Sequence, residues 1–191
     1  GLANVGCERF VAEKLPAAAR VGPVVIGSIA GHTVEDYVEV ARAFDAAEHL
    51  PLVELNVSCP NTATGLQFGE DPGALRELLA EVRPVLANTR MVVKLSPNVG
   101  DIVAMATAAI DGGADALTLI NTIAAMAIDV DTRMPRLSRG AGGLSGPAVH
   151  HVAVRMVHAV YTGIARERGV PIIGLGGVMS WRDAAELILA G

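Results

Sequence analysis

Apolar positions along the chain fall into two alternating rhythms. Short runs rich in β-branched and aliphatic residues recur at 24–30, 52–58, 91–96, 116–122 and 172–177. Between and after them lie longer segments at 33–47, 71–86, 101–111, 146–168 and 180–190, with apolar residues three and four apart. The first rhythm predicts strands covered on both faces, the second amphipathic helices. Helix boundaries carry their own signals. Thr33 and Ser180 are expected N-caps, Asp71-Pro72 pairs a cap with proline at the first helical position, Pro147 opens the fourth helix, and Gly112-Gly113 stops the third.

A β-α unit repeated five times predicts a parallel sheet with right-handed crossovers. Two architectures accommodate it: an open doubly wound sheet, or part of a (β/α)8 TIM barrel, which takes about 250 residues. Gly1-Leu2 reads as mid-loop, and Ala190-Gly191 ends where a further strand is due. The expectation is therefore an α/β fold, an incomplete barrel of about five βα units, with residues 1–191 as a single partial domain. One stretch, 123–145, with Gly140, Gly142 and Gly143, is expected to be a long irregular loop, functional or mobile.

Composition sharpens this picture. Hydrophobic residues make up 51% of the 191 residues and the mean hydropathy is +0.44. That suits either a membrane protein or a sheet buried on both faces. A spanning helix needs roughly 18 consecutive apolar residues, and the longest weakly polar stretch, 116–128, is interrupted by Thr118, Asn121 and Thr122. No membrane segment is expected. The net charge is −5, and basic residues are scattered, so nucleic acid is excluded as a partner. Two cysteines, Cys7 and Cys59, make no disulfide framework, and a reducing cytoplasmic location is expected.

Residues with chemistry cluster at the C-terminal ends of the expected strands, where a barrel builds its site. They include Ser28, Asn56, Ser58, Cys59, Lys94, Ser96, Asn121, Thr122, Gly176 and Gly177. The densest group is Glu54-Leu55-Asn56-Val57-Ser58-Cys59-Pro60-Asn61. Its asparagines offer donors and acceptors suited to a planar polar heterocycle. Cys59 beside them can be a base, a nucleophile, a ligand or a packed core thiol. A metal is poorly supported, because no second cysteine or histidine stands at ligand spacing. Lys94 lies inside an apolar strand, so it needs an anionic or electron-rich partner, or a route to solvent along its stem. The glycine-rich turns around Gly142–Pro147 and Gly174–Gly177 permit close backbone approach to a phosphate, though each alone is also an ordinary tight turn. Cys7 and Trp181 read as packing residues. The five histidines, His32, His49, His150, His151 and His158, are expected to be solvated or packed.

Taken in order, Glu54–Asn61, then Val93-Lys94-Leu95-Ser96-Pro97-Asn98, Ile120-Asn121-Thr122, Gly142-Gly143-Leu144-Ser145-Gly146-Pro147-Ala148 and Ile173-Gly174-Leu175-Gly176-Gly177-Val178 closely resemble the dihydroorotate dehydrogenase family over essentially the whole chain. The resemblance implies an FMN-dependent barrel that oxidises (S)-dihydroorotate to orotate in pyrimidine synthesis. It implies Cys59 as catalytic base; Gly1, Leu2, Asn56, Asn61, Asn121 and Thr122 around the substrate; and Ser28, Asn56, Lys94, Ile120, Gly146, Gly176 and Gly177 around the cofactor. Cysteine as the base resembles class 1 rather than the membrane-linked, serine-bearing class 2, and Asp129 with Thr132-Arg133-Met134-Pro135, together with the segment 142–148, resembles the class 1B catalytic subunit. That type acts as a homodimer with an iron–sulfur, FAD-containing subunit that passes electrons to NAD⁺; the fumarate-linked class 1A is the nearer alternative. Ser28 departs from the family, which usually has a flavin-contacting asparagine there. Two other readings remain: a dihydropyrimidine dehydrogenase-like flavin reductase, and a non-catalytic barrel remnant.

Overall fold

Local side chains start four of the helices, at Thr33, Asp71, Asp101 and Ser180. The computed structural model describes residues 4–18, 20–48, 50–58 and 68–191. An N-terminal helical stretch runs through α1 (Cys7–Arg9), a π turn (Phe10–Lys14) and α2 (Leu15–Ala18). Helix α3 (Val34–Asp45) opens on a capping box, Thr33 accepting from the Asp36 N–H while Asp36 accepts from the Thr33 N–H. Helix α4 (Pro72–Val82) has Asp71 as N-cap, accepting from Ala74 N at 2.7 Å. Asp101 caps α5 (Ile102–Asp111). The fourth expected helix is segmented: a 3-10 turn (Pro147–Val149), α6 (His150–Val160), a π turn (Tyr161–Ala165) and α7 (Arg166–Arg168). The last, α8 (Trp181–Ala190), opens on a second capping box between Ser180 and Asp183.

The main sheet has five parallel strands: β1 (Ile26–Ile29), β2 (Leu52–Asn56), β3 (Arg90–Lys94), β4 (Ala116–Leu119) and the later β9 (Ile172–Gly174). Their spatial order is their chain order. A doubly wound sheet reverses strand order at a switch point, and this one never does, so the barrel expectation holds. The helices pack on one face. Val53, Leu55, Met91, Val93, Leu117 and Leu119 point into that layer and are fully buried with Leu75, Leu78, Leu79 and Met105. A Cβ at Gly27 would lie 2.7 Å from the Phe44 ring, and one at Gly174 would lie 3.2 Å from Leu187, so these strand glycines make room for α3 and α8.

Residues of the opposite parity face the concave side. The register aligns Ser28, Glu54, Val92 and Ala116 in one row, and Asn56, Lys94, Thr118 and Ile173 in the next. Every polar strand residue singled out from the sequence therefore shares a face.

Two expectations need correction. The stretch 123–145 is not irregular. It folds into two antiparallel pairs, β5 (Ile123–Ala125) with β8 (Gly142–Leu144) and β6 (Ile128–Asp129) with β7 (Met134–Pro135). Strands of two or three residues leave no periodic signal to read. Trp181 does not pack inside: it is 73% exposed, with the Arg182 guanidinium 4.8 Å from its ring centre. Among the described residues, no helix is long and apolar enough to cross a membrane.

Candidate functional site

The C-terminal ends of β2, β3 and β4 bring a polar cluster together on the concave face. Glu54 is its hub. Its Oε1 lies 3.7 Å from Lys94 Nζ, and its Oε2 accepts from the Thr118 hydroxyl at 2.9 Å. The Lys94 and Glu54 side chains are only 22% and 15% exposed, and Thr118 is buried. Lys94 thus has a carboxylate of its own chain as partner, which its placement in an apolar strand called for. Glu54 is legible in the sequence only as the first residue of a motif, although it stands two residues from Asn56 and so on the same face.

One layer further along, Asn121 Nδ2 donates to Asn56 Oδ1 at 2.8 Å, and the Asn121 Oδ1 accepts from Thr122 N. The buried Tyr37 hydroxyl donates to the Asn56 carbonyl at 2.7 Å, which fixes the end of β2. Asn98 adds a bracket that was not expected from the sequence. Its amide donates to Thr122 O at 3.1 Å, and its carbonyl oxygen accepts from Ala124 N at 2.8 Å. Asn56, Asn121 and Thr122, predicted from two separate motifs, are therefore one hydrogen-bonded unit.

At the adjoining strand end, two glycine turns meet. Gly146, Gly176 and Gly177 have φ of 87°, 138° and 65°, values that L side chains rarely adopt. A Cβ on Gly177 would fall 2.6 Å from the Gly146 carbonyl oxygen and 3.0 Å from His150 Cβ. A Cβ on Gly176 would reach Ala153 at 3.0 Å and Ile120 at 3.7 Å, which places Ile120 beside this turn. The 3-10 turn and α6 start from the same spot, so backbone N–H groups and the helix dipole favour an anion there.

His150 stands behind these turns. It is buried, with Nδ1 2.9 Å from Gly176 O and Nε2 3.0 Å from Glu186 Oε2. Of the two expectations for it, solvated or packed, it meets the second, with partners from the turn after β9 and from α8.

Ser28 stands beside Glu54 in the register, exposed on β1, and lines a cavity of about 250 Å³ with Cys7, Phe10, Ile29 and Phe44. Burial pushes the Cys7 thiol up, with Glu39 and Glu8 adding to it, as befits an unreactive packing cysteine. Cys59, Asn61, Gly1 and Leu2 lie outside the described residues.

Polar side chains on the C-terminal strand ends, beside two turns of positive-φ glycines, define a βα-barrel protein with its candidate site at that end. The dihydroorotate dehydrogenase family model matches residues 1–191, and the chain belongs to that family. It is 50% identical over 194 residues to the dihydroorotate dehydrogenase B (NAD(+)) catalytic subunit of Citrifermentans bemidjiense, covering all of this chain and 61% of that one. It is 48% identical over 195 residues to a putative dihydroorotate dehydrogenase A (fumarate) of Pediococcus pentosaceus, covering all of this chain and 62% of the relative. The chain thus spans about three fifths of the length of these curated relatives. Among solved structures, the DHODH of Eimeria tenella in complex with ferulenol superposes with a TM-score of 0.75 at 20% identity, over 98% of this chain and 57% of that one.

Proposed function

We propose that the intact protein oxidises (S)-dihydroorotate to orotate with FMN as its cofactor, in pyrimidine synthesis in the cytoplasm. The observation that carries this reading is the Asn56–Asn121 pair at 2.8 Å, on the same concave face as Lys94 and next to the Gly146–Gly176–Gly177 cradle. A planar amide-bearing ring and a phosphorylated cofactor match these two halves.

The two glycine turns pack so closely that a Cβ on Gly177 would lie 2.6 Å from the Gly146 carbonyl oxygen, and backbone exposed at such glycine turns beside a helix start suits a cofactor phosphate. FMN, when bound, supplies the two-electron acceptor for the hydride of C6. Cys59 takes the proton from C5. Asn56, Asn61, Asn121 and Thr122, with the segment at Gly1 and Leu2, orient the pyrimidine. Lys94 would supply positive charge to a bound flavin, and Ile120 and Ser28 would help to line it. The chain acts as a single barrel domain, as a homodimer whose electrons leave through an iron–sulfur, FAD-bearing subunit to NAD⁺. Asp129 with Thr132-Arg133-Met134-Pro135, and the segment 142–148, support that electron route over fumarate.

Anaerobic addition of dihydroorotate to the intact, FMN-loaded protein is expected to bleach the visible flavin band. An FMN-loaded protein that bleaches with dihydrouracil and not with dihydroorotate would move the assignment to the reductase of uracil-type bases.

Gly177→Ala is expected to weaken FMN retention at least about tenfold. The left-handed conformation costs an L residue about 1–2 kcal/mol, and the colliding atom is backbone, which cannot swing aside. Flavin content after gel filtration measures it; an unchanged flavin-to-protein ratio would refute it.

A further inference from the structure

Among the described histidines, His150 alone is buried, and its ring is held at both ends. Nδ1 faces the Gly176 carbonyl at 2.9 Å and Nε2 faces Glu186 Oε2 at 3.0 Å, with Asp183 Oδ1 3.9 Å away. Both partners accept, so both ring nitrogens must donate, which only the imidazolium does. The groups facing the ring are the Gly176 carbonyl from the turn after β9, Asp183 and Glu186 from α8, and the neighbouring His151 ring with its centre 5.6 Å away.

The peptide joining Gly176 to Gly177 is planar, so its N–H points opposite to its carbonyl. Anchoring that carbonyl on His150 therefore turns the Gly177 N–H away from His150. We propose that His150 is a positioning residue for the anion cradle: its charged ring anchors the Gly176 carbonyl, so the Gly177 N–H stays aimed at the FMN phosphate, and loss of its proton releases the turn. This rests on the FMN reading above.

The release has a physical cause. When His150 is neutral, its remaining hydrogen stays on Nε2, against the stronger, charged acceptor Glu186. The Nδ1 lone pair then confronts the Gly176 oxygen. The Gly176 carbonyl first, then Glu186 and Asp183, hold His150 above the ordinary histidine value, against the desolvation that lowers it. A raised value in the folded state means that the stabilisation is complete below about pH 6.5 and disappears as pH climbs through the raised value.

The test is FMN affinity by fluorescence quenching between about pH 7 and about pH 9.5, a range in which the phosphate is already a dianion. Riboflavin, which has no phosphate, is the control ligand. Wild-type protein is expected to lose FMN affinity by about tenfold across that range, while riboflavin affinity stays level. In His150→Asn, which keeps a neutral donor near Nδ1 and cannot titrate, the FMN slope disappears. Glu186→Gln leaves the histidine in place and moves the fall to lower pH, so it carries the test if the asparagine variant fails to fold. FMN affinity that is flat in the wild type, that falls equally in His150→Asn, or that falls in parallel with riboflavin overturns the inference alone. No FMN binding at any pH overturns it together with the reading on which it rests.

Discussion

Replacing Cys59 by alanine is expected to slow flavin reduction by dihydroorotate by about 10²–10⁴-fold, the range for removing a general base, and to leave FMN affinity unchanged. The C5 proton is weakly acidic, so it needs a base placed for it. A thiol with an ordinary value near 8.5 serves at neutral pH with little adjustment. FMN affinity stays because the cradle at Gly146, Gly176 and Gly177 is built on other strands. Anaerobic stopped-flow bleaching of the variant against wild type measures the rate. Cys59→Ser separates base from spacer: a hydroxyl is a far weaker acid, so its residual rate is expected to rise toward higher pH than the wild type's. Wild-type rates in Cys59→Ala would remove Cys59 from the chemistry.

Lys94→Met is expected to have two effects of different origin. The first is on stability. Glu54 would keep the Thr118 hydroxyl but lose its cation, in a place where its side chain is 15% exposed. Leaving a largely buried polar group unmatched costs about 1–3 kcal/mol, which in a chain of this size lowers Tm by about 2–4 °C per kcal/mol. The second is on rate. Removing a positive group aimed at developing negative charge costs about 10²–10³-fold. Adding Glu54→Gln to Lys94→Met should restore most of the lost Tm, since the stranded charge is gone, without restoring the rate. Thermal unfolding and flavin-reduction kinetics on the three variants resolve the two roles. Recovery of the rate along with Tm would mean that Lys94 acts only through the fold.

Much of this architecture is legible in the chain itself. Caps are local, so Thr33, Asp71 and Ser180 could be assigned from neighbours three residues away. The strands announced themselves as apolar runs, and the site residues as polar interruptions at their ends. Pairings between distant segments were not legible. Glu54 meets Lys94 because β2 and β3 align Asn56 with Lys94, a register no residue near either one encodes. His150 finds Gly176 and Glu186 at separations of 26 and 36 residues. Asn98, read only as part of a motif, reaches across to Thr122 and Ala124 and ties the site to the β5–β8 ribbon. The ribbon was missed because its strands are too short for any period.

The alternation of faces along β2 gives the site a reading frame. Glu54 and Asn56 look into the concave side, and Val53 and Leu55 into the helix layer. Inserting one residue ahead of Glu54 would exchange the two sets, delivering valine and leucine to the concave face and a carboxylate to the core. Inserting two would restore the frame but displace every group by about 7 Å along the strand, beyond reach of its partner. Length changes are therefore confined to the loops, and the strands admit substitution only.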